Sequence, residues 1–186
     1  MKQELVDVLD DQGKKTGEVL PIDKIHEKEL WHGVAHIWIY NKQGQMLMQH
    51  RSSTVKWGAD QWDLAGGGHI SAAETPEQAA LRELYEELGL KLSKEKLKVA
   101  GKTYAENTNA FSGKRHKAWE WNYIAEMGVD LSEVTLQEDE SQGVKWIDLD
   151  QLESELENEA TYQNYAPRNT SLYTLVIKQI RSSLQS

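Results

Sequence analysis

The chain of 186 residues contains no cysteine, which excludes disulfides, thiolate metal sites and thiol nucleophiles together. That absence fits a reducing compartment. Proline is limited to three residues, and no Pro-rich or Gly/Ser-rich linker and no internal repeat divides the sequence. One domain over residues 1–186 is therefore expected. No apolar run approaches membrane-spanning length, and the amino-terminal MKQELVDVLDDQGKK has no apolar leader core, so the reading is a soluble cytoplasmic protein. Basic residues are also in short supply, with 21 Lys and Arg against 30 Asp and Glu and a formal net charge of −9. Nucleic acid and anionic membrane are disfavoured as main partners, because both select basic surfaces. A small anionic substrate is not, since bound divalent cations and a few placed side chains reverse the sign locally.

Hydrophobic patterning gives a mixed set of elements. ELVDVLDDQGKKTGEVL reads as two short strands around an Asp-Gln-Gly turn, and PIDKIHEKEL as a polar connector or short helix. HGVAHIWIY and QMLMQHR read as strands joined at Asn41-Lys42-Gln43-Gly44, and WDLAGGGHI leads into a helix. Further strands are expected near 97–106, 115–126 and 143–147. A C-terminal helix follows in SLYTLVIKQIRSSL, where Leu172, Leu175, Val176 and Ile180 have helical spacing. Strands mixed with a few helices predict an α+β fold, a mixed β-sheet covered by helices.

The segment GHISAAETPEQAALRELYEELGL, residues 68–90, carries the densest chemistry. Thr75 is placed to cap a helix, with Pro76 at its first position and Gln78 where a capping box needs its reciprocal partner. Gly89 supplies a stop in a left-handed turn. Between them Leu81, Leu84 and Leu88 share one stripe, while Glu83, Glu86 and Glu87 cluster at i, i+3 and i+4. Three carboxylates within one turn repel each other unless cations gather there, and hard oxygen ligands suit Mg²⁺ or Mn²⁺, which in turn suit phosphate oxygens.

Gly68, Glu74, Arg82, Glu83, Leu84, Glu86, Glu87, Gly89 and Leu90 fill every defining place of the Nudix box. The chain thus resembles the Nudix superfamily, whose members are αβα sandwiches that use Mg²⁺ or Mn²⁺ to split a diphosphate linkage attached to another group. The resemblance implies that the Gly68 carbonyl, Glu86 and Glu87 hold metal. Glu83 would be a further ligand or the base for water, Arg82 would orient it, and Glu74 would brace the loop. A small-molecule diphosphate is the implied partner.

Upstream, WHGVAHIWIYNKQGQMLMQHRS with Lys56, Trp62 and the Gly67-Gly68-His69 triplet resembles the isopentenyl-diphosphate isomerase branch and the hydrolases allied to it. That resemblance implies a second, transition-metal site at His26, His32 and His69 with Glu120 as a fourth ligand or catalytic glutamate, and a diphosphate grip at Arg51 and Lys56. His36, His50 and His116 are read as packing or surface residues. Gly67 stands where the isomerase has its catalytic cysteine, and a glycine there points to backbone angles that cysteine resists. With the box glutamates retained and the isomerising acid missing, hydrolysis is the expected reaction. The alternatives are an isomerase using another acid, such as Tyr104, and a non-catalytic ligand sensor. Glu138 or Glu140, just before a predicted strand, is a candidate extra ligand or base. Trp31, Trp38, Trp57, Trp62, Trp119, Trp121 and Tyr123 are candidates for lining a substrate pocket, against a stronger expectation that they fill the core.

Overall fold

A computed structural model describes residues 3–108 and 113–185. Its nine strands are β1 (Leu5–Leu9), β2 (Lys15–Pro21), β3 (Trp31–Tyr40), β4 (Gln45–Arg51), β5 (Trp62–Asp63), β6 (Gly66–His69), β7 (Lys98–Thr108), β8 (Arg115–Glu126) and β9 (Ser141–Asp148). The helices are α1 (Ile22–Glu27), α2 (Pro76–Leu88), α3 (Leu149–Glu157), α4 (Glu159–Tyr162) and α5 (Thr170–Leu184). The expected α+β class holds, and among the described residues no helix is long and apolar enough to cross a membrane.

β3 is the hub of the mixed sheet. It pairs antiparallel with β1, β4 and β6 and parallel with β8 along its whole length, from Trp31 opposite Lys117 to Tyr40 opposite Glu126. Both of its faces are covered, which explains why its sequence is nearly continuous apolar rather than alternating. Trp38 and Tyr40 join Tyr173, Val176, Ile177 and Ile180 of α5. Ala35, Ile37 and Ile39 pack with Ala80, Leu84 and Leu88 of α2. Leu84 is fully buried, a contribution of roughly 2–3 kcal/mol. The sandwich thus follows from one strand whose alternate residues serve two helix layers.

β3 and β4 pair at Tyr40 and Met46 and then diverge, β3 accepting β6 and β4 accepting β5 and β9. This split opens a wedge between β4 and β6. The β3–β4 hairpin turns through Gly44 at φ 76°, with Asn41 Oδ1 accepting from the Gln43 and Gln45 amides at 3.0 Å each. β4 and β8 occupy their expected spans, but β5 and β6 appear where only a lead-in to the helix is expected, and α3 and α4 form between 149 and 162, where no element is expected.

Candidate active site

α2 begins as its sequence predicts. Thr75 Oγ1 accepts from the Gln78 amide at 3.3 Å while Gln78 Oε1 accepts from the Thr75 amide at 2.8 Å, closing the capping box. Gly89 ends it at φ 69°. The helix lies against β6 so closely that a Cβ on Gly66 would sit 3.1 Å from Leu84 Cα, and one on Gly68 would collide with the Glu83 carboxylate. The glycine run is therefore a packing requirement, and it brings the backbone of β6 beside the helix carboxylates.

Arg82 organises the cluster. Its Nε and Nη2 donate to the two Glu74 oxygens at 3.0 Å each, its Nη1 donates to Glu83 at 2.7 Å and Glu86 at 3.0 Å, and Nη2 also reaches the His69 carbonyl at 2.9 Å. Burial opposes its charge, but these carboxylate partners raise its pKa. Glu74 also accepts from the Ser71 amide at 3.1 Å, which ties the loop before the helix to Arg82 through one carboxylate. Glu87 turns inward: it is 7% exposed, accepts from the Gly67 amide at 3.1 Å and accepts from Gln49 of β4. Burial, reinforced by the Glu83 charge, pushes its pKa up to about 8. Burial raises Glu83 as well, against the pull of Arg82.

Glu83, Glu86, Glu87, Gly67, Gly68 and His69 line one side of a cleft of about 980 Å³, and Arg51, Gln137 and Glu140 line another. Arg51 and Glu140 thus lie at the cleft, whereas Lys56 stands exposed on the 52–61 loop and is not among the lining residues. Glu4 was missed. It enters from the amino-terminal segment, with His69 Nδ1 at 3.3 Å from its Oε2, and that hydrogen bond holds its carboxyl below the usual range. None of the seven candidate aromatics lines the cleft. Trp38 and Tyr123 are core residues, Trp62 stacks on His50 at 4.6 Å, and Trp31 and Trp119 gather with the exposed Tyr104. Trp121 lies under the Lys102 ammonium at 4.3 Å. Tyr104 is likewise absent from the lining, so it offers no substitute acid.

The histidines form a second cluster, with a correction. His26, His32 and His116 bring ligand nitrogens within 4.8 Å of one another, and His69 flanks them with ring centroids 5.5 Å from His26 and 5.3 Å from His32. Glu120 is not in the set: its Oε2 accepts from Thr103 Oγ1 at 2.8 Å. His116, read as a packing or surface residue, takes that place because it lies on the same face of β8 four residues nearer the strand start, opposite Asn107, with its ring 5.7 Å from that of His26 in α1. His32 is fully buried. Its Nδ1 faces the Leu30 carbonyl at 3.4 Å, which can only accept, so Nε2 carries the lone pair, and that atom has no partner. A second-atom hydrogen bond to a carbonyl is the usual support of a metal-binding imidazole. Burial and the neighbouring imidazoles lower His32 well below its ordinary value and His116 to about 4, keeping both rings neutral and able to ligate.

The other two histidines are structural, as expected, but His36 belongs to a network that the sequence did not disclose. Arg168 Nη1 stands 3.1 Å from His36 Nε2, and because arginine only donates, His36 must carry its proton on Nδ1, which donates to Asn122 Oδ1 at 3.1 Å. Asn122 Nδ2 continues to Thr103 Oγ1 at 3.1 Å. Burial, helped by Arg168, lowers His36 to about 4. This ring also corrects the reason for Gly67: its backbone is not left-handed, but a Cβ there would meet His36 Cδ2 at 2.8 Å. Packing, and not backbone angle, resists a cysteine.

Comparison with known proteins gives a consistent result. The NUDIX domain family model matches residues 30–168. The chain is 34% identical over 167 residues to Nudix hydrolase 3 of Arabidopsis thaliana, covering 86% of this chain and 21% of that longer protein. An uncharacterised Nudix hydrolase of Listeria innocua is 32% identical over 133 residues, with 71% of this chain and 72% of the relative covered. Isopentenyl-diphosphate Delta-isomerase of Pectobacterium atrosepticum is 33% identical over 84 residues, covering 45% and 46% of the two chains. Among solved structures, DR0079 of Deinococcus radiodurans superposes with a TM-score of 0.64 at 18% identity, covering 96% of this chain and 98% of that one. A bifunctional NMN adenylyltransferase/ADP ribose pyrophosphatase of Francisella tularensis, complexed with AMP and Mn ion, superposes at 0.59 with 21% identity over 80% of this chain and 42% of that one.

Proposed function

The chain belongs to the Nudix family, and from that premise we propose that it hydrolyses a diphosphate linkage in a small organic or nucleoside diphosphate derivative. The observation that carries this reading is the convergence of Glu83, Glu86, Glu87 and Gly68 with Arg51 on one cleft. Residues 1–186 act as one domain in this reading, supported by the single sheet that all nine strands share.

The donor set fits a divalent cation. Glu87 and Glu83 are carboxylates whose burial disfavours charge, an arrangement that a hard dication relieves. Glu86, Glu87 and the Gly68 carbonyl would hold Mg²⁺ or Mn²⁺, which would supply positive charge at phosphate oxygens and acidify water. The protein's own groups do the rest. Arg82 holds Glu83 and Glu86 in register, so that Glu83 can take a proton from an attacking water at the cleft. Arg51 supplies donors to the diphosphate from the facing strand. The fit at His26, His32 and His116, with His69 beside them, is to a transition metal such as Zn²⁺ or Mn²⁺, because three neutral imidazoles are softer than a carboxylate set.

Isomerisation is the less supported alternative. Gly67 carries no acid, and His36 occupies the space into which a side chain would grow. The test is phosphate or nucleotide release from a panel of nucleoside diphosphates, nucleotide sugars, dinucleotide cofactors and prenyl diphosphates. With Mg²⁺ or Mn²⁺ at least one compound should be cleaved and chelator should abolish the release. Formation of dimethylallyl diphosphate from isopentenyl diphosphate, without cleavage of any compound, would contradict the reading.

A further inference from the structure

Behind the cleft, two arginines stand over one buried carboxylate. Asp63 of β5 is 1% exposed. Arg168, in the segment before α5, donates to its two oxygens from Nε at 2.6 Å and Nη2 at 2.9 Å, and the Leu64 amide adds a third donor at 2.8 Å. Arg51 lies next to the same group, but its Nη1 is 3.6 Å from Asp63 Oδ2, outside hydrogen-bond range. Its Nε is taken by the Trp57 carbonyl at 3.0 Å. The Trp57 ring stands near both guanidiniums, 5.4 Å from Arg51 and 5.0 Å from Arg168. Arg168 is braced from its other side as well, through His36 and Asn122.

The competition has a clear loser. A guanidinium and a carboxylate prefer a bidentate pair, and a buried carboxylate without a partner is strongly disfavoured. Burial alone would raise Asp63, yet the Arg168 charge and hydrogen bonds, aided by Arg51, hold it ionised below its ordinary value. With Arg168 absent, Arg51, whose Nη1 already stands 3.6 Å from Asp63, is the cation able to close on it, and a guanidinium hydrogen-bonded to Asp63 has fewer donors left for the cleft that it lines.

We infer that Arg168 is a positioning residue for substrate binding: by occupying Asp63 it leaves the Arg51 guanidinium free to grip diphosphate oxygens. Arg168 touches no substrate and acts through Asp63 and Arg51. The inference rests on the reading above, in which Arg51 is a diphosphate-binding cation.

Calorimetric binding of inorganic pyrophosphate in the presence of Mg²⁺ tests it on the full chain. Arg168→Met should bind about tenfold more weakly than wild type, because Asp63 captures Arg51. The pair Arg168→Met with Asp63→Asn should return to within about threefold, since no carboxylate is left to do so and the buried pair is removed as a unit. In turnover of an identified substrate, Arg168→Met should raise KM far more than it lowers kcat. Where Arg168→Met does not fold, Arg168→Lys serves in its place, as an ammonium cannot fill both carboxylate oxygens. Wild-type affinity in the single variant, or no recovery in the double variant, overturns the role of Arg168. Arg51→Gln separates the two levels. A tenfold loss there with none in Arg168→Met removes the positioning role alone, while unchanged affinity in Arg51→Gln removes the assignment of Arg51 and the inference with it.

Discussion

A carboxylate buried beside another carboxylate stays there because its surroundings hold it, and Glu87 illustrates what that costs. Gly67 and Gln49 donate to it, yet its pKa still rises to about 8 beside Glu83. A bound cation would relieve that pair, as the proposed metal site requires. Glu83→Gln keeps the shape but removes the carboxylate proposed as the base, so kcat should fall about a hundredfold or more while KM changes little, as steady-state kinetics on the identified substrate would show. His36 gives a pH prediction away from the metal residues. Its folded pKa of about 4 lies below the unfolded value near 6.5, with Arg168, Asn122, Trp38 and Asp63 around it. Its contribution is complete above pH 6.5 and is lost as pH falls toward 4, up to about 3 kcal/mol. Urea unfolding at pH 7 and pH 5 should show that loss, and His36→Gln should flatten the difference; an equal loss in both proteins contradicts the role. At this scale the box residues were legible because their spacing is itself the signal. His116 was passed over for Glu120 because which residue of one strand face lies level with α1 is not written in residue type. Arg168 and Asp63 were invisible because their pairing spans 105 residues of sequence.

Elements with strong local signals appear where the sequence places them. The turn at Asn41–Gly44 bounds β4, the strand expected near 115–126 is β8, and the Thr75 cap and Gly89 stop bound α2. β6 was not legible: Gly66, Gly67 and Gly68 have no hydrophobic period, and the strand exists because β3 offers it a partner and α2 demands a bare backbone. Nor does Leu81 share the depth of Leu84 and Leu88, since the helix also buries Ala79, Ala80 and Glu87. The cap carries an energetic prediction. Thr75→Ala should destabilise the protein by about 1 kcal/mol in urea unfolding, because the Gln78 amide loses the Thr75 Oγ1 that accepts from it. A change below a few tenths would show that the box helix is held by its packing alone.

For the molecule as a whole, the histidine cluster ties α1 to β3 and β8, elements far apart in sequence. An ion bound there stabilises the folded state by mass action. Zn²⁺ added to chelator-treated protein should raise Tm, and His32→Ala and His116→Ala should each abolish the rise while Glu120→Ala keeps it. Equal rises in all four proteins would leave the cluster to packing.

The central claim, that the acidic cleft is a metal-dependent hydrolytic site, is tested most directly by metal-dependent cleavage of the identified diphosphate substrate, comparing wild type with Glu86→Gln and Glu87→Gln. Both variants should fold and lose about a hundredfold or more of the wild-type rate at saturating Mg²⁺ or Mn²⁺. Near wild-type rates in both variants would contradict the account.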